Sequence, residues 1–266
     1  MHIGRAVMKT LAVKPNPDAR LWLLDFDNTI AALEVEVDWA ASRRELEAWL
    51  RSQGVPDAIF NAIPKGNLPL YEALRARLAN RQLKPDRESG TAADGHLPND
   101  WGLRGVTLLA QASSIIGRYE LAGADRAEPT LGALELLEVL NARDAIIMIV
   151  TSNSSRTVAR WLGRYRATGL ISAIVGRDTL LPLKPSPAMV LRALELHGAK
   201  PGEAVFVGDS EADCGAANAA GIGFYGIAAS HLKRDRLIAA GASDVFASPA
   251  ALQVHLNFGA SAATNK

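Results

Sequence analysis

The sequence predicts an α/β protein: a doubly wound parallel sheet with an inserted α-helical unit. Three observations predict it. Short apolar runs rich in β-branched residues recur at 21–26, 145–150, 171–175, 204–207 and 222–227. Strands that are apolar throughout are those covered on both faces, as parallel sheets are. Helical patterns lie between these runs, and strict alternation of strand and helix builds a doubly wound sheet. The alternation breaks once, directly after the first run, where about ninety residues read as helix after helix.

Taken in order, residues 1–18 are mildly basic and lack the apolar stretch of a secretory signal, so they read as a flexible tail. The first strand follows and ends in LWLLDFDNT. Residues 32–123 form the insert. A short alternating stretch, LEVEVD, opens it. Trp39, Leu46 and Leu50 then share one helical face, Leu70, Leu74 and Leu78 a second, and Val106, Leu109, Ile116 and Tyr119 a third. Between the last two lies KPDRESGTAADGHLPND, a loop long enough to be expected to serve function. Placed after the first strand, the insert reads as a lid over the strand ends. The core resumes at 124, with helices expected over 129–143, 154–166 and 186–197, the last opened by Ser186-Pro187 and stopped by Gly198. The expected organisation is a tail at 1–18, a core made of 19–31 and 124–266, and a cap at 32–123.

Composition narrows the function. The chain has 266 residues, 48% hydrophobic and 21% charged, with a net charge of +1, so no polyanion-binding surface is indicated and no nucleic-acid partner is expected. No apolar run reaches the ~18 residues of a membrane span. The single cysteine, Cys214, permits no internal disulfide and fits a reducing compartment, the cytoplasm.

The chemistry sits where the strands end. Ligands of doubly wound sheets bind beyond the carboxyl ends of the strands. Asp25 and Asp27 fall there on the first strand, Thr151 on the second and Asp209 on the fourth, with Asp213 one turn into the next helix. Lys184 heads a helix beyond the third strand. Crowded carboxylates raise one another's pKa, and a hard cation relieves this. The five histidines show no zinc-like spacing, so the expected ion is Mg²⁺, with Asp25 and Asp209 as side-chain ligands. A phosphoryl group in transfer needs positive charge and hydrogen-bond donors, which Lys184 and Thr151 supply. Asp25 is placed to attack phosphorus. Asp27, on the same side of an extended segment, is placed to protonate the leaving oxygen and later to activate water.

These motifs resemble the haloacid dehalogenase superfamily. DFDNT at 25–29 is similar to its first motif, Thr151 to its second, Lys184 to its third and GDSEAD at 208–213 to its fourth. YELAGADRAEPTLGALELLEVL and KPSPAMVLRALELHG look most like the phosphoglycolate-phosphatase branch, whose helical cap follows the first motif. The resemblance implies strand order 5-4-1-2-3, a nucleophilic Asp25 and an acid/base Asp27. It further implies Mg²⁺ held by Asp25, Asp209 and the backbone carbonyl of Asp27, with Asp213 as an orienting group or a further ligand. It implies a Mg²⁺-dependent phosphatase for a small phosphorylated metabolite, acting as a monomer or homodimer. Alternatives within it are a phosphomutase of the β-phosphoglucomutase kind and, because DNT replaces the commoner DGT, a nucleoside-monophosphate phosphatase. Asp27 disfavours a dehalogenase or phosphonatase. A binding protein on the same fold would usually have lost a catalytic residue, and none is lost.

The cap gives little by resemblance. His96, Trp101 and Arg104 flank its long loop within reach of a substrate, but read as solvated loop (His96, Arg104) and cap core (Trp101). Tyr71, Trp39 and Trp49 read as cap packing, and Cys214 as small packing volume.

Overall fold

A computed structural model of the chain describes residues 13–63, 65–83 and 101–263. The central sheet is six-stranded and parallel, in the order β3-β2-β1-β4-β5-β6. Its strands are β1 (Leu21–Leu24), β2 (Ile146–Val150), β3 (Ala173–Val175), β4 (Ala204–Gly208), β5 (Gly223–Ile227) and β6 (Asp244–Phe246). Read from the other edge, this is the expected order 5-4-1-2-3 with one strand added beyond β5. That strand escaped the sequence because it is three residues long and buries only Val245.

Alternation along the strands divides the core in two. Leu21, Leu23, Met148, Val150 and Phe206 face one apolar layer. Trp22, Leu24, Ile147, Ile149, Val205 and Val207 face the other. Both faces are covered, which is why these segments read as unbroken apolar runs.

Ten helices are described: α1 (Trp39–Ser52), α2 (Asp57–Ala62), α3 (Asn67–Leu83), α4 (Trp101–Ala124), α5 (Ala133–Ala142), α6 (Ser155–Arg164), α7 (Ala188–His197), α8 (Glu211–Ala220), α9 (His231–Ala239) and α10 (Pro249–Ala263). The helix expected from 129 starts four residues later. Gly132 is left-handed, with φ 79°, and turns the chain into α5. None of these helices is long and apolar enough to cross a membrane.

Four of them, α1 to α4, form the insert, one more than the pattern predicted, since α2 is only six residues long. LEVEVD is not a strand: Glu34–Glu36 is a 3-10 turn with Val35 pointing to solvent. Val106 likewise leaves the buried face assigned to it and is 60% exposed, whereas Leu109 and Ile116 are buried. The apolar face of the insert has no core of its own. Leu46, Leu50, Leu70, Leu74 and Ile115 join the same cluster as Leu21 and Met148. Residues 1–12 of the expected tail, and the loop at 84–100 with His96, lie outside the described residues. From residue 13 on the tail is described, and Pro15 is buried.

Candidate active site

The candidate residues lie at, or in the segments that follow, the carboxyl ends of the strands. At the end of β1 the Asp25 amide donates to the carbonyl of Val207 at 2.8 Å. Asp25 is 6% exposed, and Phe26 turns into the opposite apolar layer. Asn28 is left-handed, with φ 56°. That conformation favours Gly and tolerates Asn, so the residue type at 28 answers a backbone need. Its side chain also donates to Glu34 at 2.7 Å. The Asp27 carboxylate accepts from the Glu34 amide at 2.8 Å, which ties it to the first turn of the insert.

At the end of β4, Gly208 lets Asp213 fold back over the strand; a Cβ there would lie 2.6 Å from that of Asp213. One Asp213 oxygen accepts from the amides of Asp209 and Ser210 and from the Ser210 hydroxyl. Its other oxygen pairs with Lys184 Nζ at 2.5 Å. Lys184 also pairs with Asp25 at 2.6 Å and donates to the carbonyl of Val150 at 3.2 Å. Thr151, 1% exposed, donates its hydroxyl to Asn153 Oδ1 at 2.9 Å. All six predicted residues are thus brought to one edge of the sheet. Five of them (Asp25, Asp27, Thr151, Lys184 and Asp209) line one cavity of about 730 Å³, and Asp213 lies just beneath it.

Charge in this cluster is unbalanced. Burial, and then repulsion from Asp213, pushes the Asp25 carboxyl up to about 8. Burial raises Asp27 to about 7, against the pull of the Glu34 amide. Asp209 rises to about 6 through burial and Asp213. Burial opposes the Lys184 charge, but Asp213 and Asp25 outweigh it and hold its pKa above the ordinary lysine value. Oxygens of Asp25, Asp209 and Asp213 lie within 4.8 Å of one another. A buried all-oxygen donor set carrying excess negative charge fits a hard divalent cation such as Mg²⁺.

Several residues of the site were not legible beforehand. Lys233, from α9, pairs with Asp209. Arg236, from the same helix, lines the cavity. Trp39, expected to be cap packing, also lines the cavity and donates its indole N–H to the carbonyl of Glu34 at 3.1 Å. From the insert, Leu68 and Glu72 line it as well. Arg104 instead donates to Gln53 at 3.4 Å. Trp49 and Tyr71 pack in the core as expected, and Cys214 is buried, which pushes its thiol up. The side chain of Trp101 lies outside the described residues.

The family model described as haloacid dehalogenase-like hydrolase matches residues 105–227. A phosphoglycolate phosphatase of Pseudomonas putida is 32% identical over 96 residues, 36% of this chain and 35% of that protein. Phosphoglycolate phosphatase 1 of Pseudomonas aeruginosa is 35% identical over 91 residues, 34% of each chain. The match spans about a third of the length of these curated relatives. Among solved structures, the fold is similar to that of YfnB from Bacillus subtilis, solved bound to magnesium. The TM-score is 0.54 and the identity 18%, covering 90% of this chain and 99% of that one.

Proposed function

We propose that the chain, whose residues 105–227 match the family model of haloacid dehalogenase-like hydrolases, is a Mg²⁺-dependent phosphatase for a small phosphomonoester, working through a phosphorylated Asp25. The observation that carries this reading is the meeting of Asp25 and Asp213 on Lys184, with Asp209 beside them, at the mouth of the sheet.

On this reading Asp25 and Asp209 hold the cation with their side chains, Asp27 with its backbone carbonyl, and Asp213 orients them. The cation, when bound, offsets the charge of the phosphoryl group. Lys184 pulls Asp25 toward its ionised form and holds it in place, and its charge lies beside the incoming phosphate. An Asp25 oxygen attacks phosphorus, the P–O bond to the leaving group breaks, and Asp27 delivers a proton to the departing oxygen. Asp27 then takes a proton from water, which attacks the acyl phosphate, releases inorganic phosphate and restores Asp25. A group near pH 7 suits both proton transfers, and Asp27 is raised to about 7. Thr151 and the amides that follow it bind phosphoryl oxygens.

The segment 32–123 is read as the lid, which supplies Trp39, Leu68 and Glu72 to the cavity wall. Phosphoglycolate-like substrates are favoured by the relatives, and a reducing, cytoplasmic setting fits the single buried cysteine.

The test is a screen of small phosphomonoesters with Mg²⁺ and with excess chelator. Release of phosphate that needs the cation and vanishes in Asp25→Asn is expected. Full activity in chelator would overturn the reading. A requirement for a sugar bisphosphate, with phosphate returned to sugar rather than to water, would move it to a mutase.

A further inference from the structure

Outside the catalytic cluster the chain buries a second ion pair completely. Glu120, on α4, and Arg177, just after β3, are both 0% exposed. All five guanidinium N–H groups of Arg177 are used. Nη1 donates to Glu120 Oε1 at 2.6 Å and to the carbonyl of Ser152 at 2.7 Å. Nη2 donates to Glu120 Oε2 at 3.0 Å and to the carbonyl of Ser113 at 3.2 Å, and Nε to the Ser113 hydroxyl at 3.1 Å. Glu120 fills its remaining acceptor sites from the loop after Thr151. Asn153 Nδ2 donates to Oε1 at 3.1 Å, and the Ser154 amide to Oε2 at 3.1 Å.

This has a directional consequence. An ionised carboxylate only accepts, so the Asn153 amide must turn its NH₂ toward Glu120. Its carbonyl oxygen then faces Thr151, whose hydroxyl donates to it at 2.9 Å while the Asn153 amide N–H returns a bond to the same hydroxyl at 3.1 Å. The Arg177 amide closes the loop from below by donating to the Asn153 carbonyl at 2.8 Å. The Ser152 carbonyl, the Asn153 side chain and the Ser154 amide are therefore all bonded to these two side chains.

We propose that Glu120 is a positioning residue for the phosphate-binding loop: through Asn153 and the Ser154 amide it fixes where the Thr151 side chain and the amides that follow it lie, and Arg177 holds both in place. The inference rests on the reading of Thr151 and the amides that follow it as the phosphate site; the one Thr151 proton, given to Asn153 here, turns away from it when the hydroxyl donates to phosphate. It makes a helix of the insert part of the apparatus that orders the loop, although Glu120 touches no reacting atom.

The test uses the full chain with Mg²⁺, an aryl phosphate as substrate and inorganic phosphate as a binding probe, well below the melting temperature. In Glu120→Gln an NH₂ replaces one acceptor oxygen, so either the Asn153 side chain or the Ser154 amide loses its acceptor. Asn153→Ala removes the relay and leaves the buried pair intact. Each is expected to lower kcat/KM by roughly ten- to a hundredfold, as small misplacements of a binding group do, and to weaken binding of inorganic phosphate. The double variant is expected to fall no further than the worse single one, because both break the same chain of contacts. Lower melting temperatures with unchanged kcat, KM and phosphate binding would overturn the proposal and leave a purely structural pair. If Glu120→Gln fails to fold, Asn153→Ala decides alone. Lack of both turnover and phosphate binding in the parent chain would instead defeat the phosphatase reading beneath it.

Discussion

Two buried charge networks lie side by side at the carboxyl ends of the strands, and they are built on opposite terms. Around Arg177 and Glu120 one cation meets one anion, five donors meet five acceptors, and no group is left over. Around Asp25, four carboxylates share two ammonium groups, and three of the four are pushed far up from the ordinary range. Balanced networks hold a shape, because each member is worth more in place than removed. Unbalanced ones are held by the rest of the fold and gain stability from something brought in, on the proposed reading a cation and a phosphoryl group. The difference teaches which buried charges to suspect of chemistry: those whose neighbours do not cancel them.

The comparison is sharpest in activity. Asp25→Asn is expected to lower turnover at least about a thousandfold, about 4 kcal/mol of barrier, while circular dichroism stays unchanged. Near-normal Mg²⁺-dependent turnover in that variant would remove the nucleophile from the scheme. Stability should divide the other way. Arg177→Met strands Glu120 in the interior and is expected to cost about 3–5 kcal/mol, read by urea denaturation. Pairing it with Glu120→Leu should recover much of that loss. By contrast, Asp25→Asn in cation-free protein relieves repulsion and should raise the melting temperature. Equal destabilisation by the two single changes would break the comparison.

Cation binding gives a smaller effect. Mg²⁺ at a hundred times its dissociation constant should stabilise the parent by about 2.7 kcal/mol, and Asp209→Asn should lose most of this in a thermal melt. The last contrast is the pH dependence of cation-free protein. Asp25, Asp27 and Asp209 have folded pKa values raised above the unfolded range, to about 8, 7 and 6. The folded state therefore binds more protons than the unfolded one between about pH 4 and pH 8. Stability should fall as pH rises through that window, the reverse of an ion-paired carboxylate, and saturating Mg²⁺ should flatten the slope. A slope of the opposite sign without cation would place compensating charge on the cluster that its neighbours do not show.

Much of this was readable beforehand, and for a physical reason. Strands covered on both faces must be apolar throughout, so five of six announced themselves, and the loops at their ends carried the carboxylates, Thr151 and Lys184 within a few residues of each run. β6 hid because three residues on an edge need little apolar surface. Glu120 and Arg177 hid for a different reason: they are 57 positions apart, and each, alone, reads as an ordinary charge on an exposed face. Lys233 and Arg236 sit in a helix whose mostly polar sequence looks solvated. Nothing local marks a side chain whose partner is set only by how the chain returns on itself.

The placement of Glu120 also bears on how this molecule divides for recombination. A cut between 123 and 124, the boundary expected from the sequence, separates Glu120 from Arg177 and carries Ser113 away with it. A chimera that grafts a relative's helices onto this core at that seam would inherit an orphaned guanidinium beneath the loop after Thr151. The seam that leaves the loop whole lies earlier along α4, before Ser113, so that the last three turns of a helix counted with the lid travel with the core.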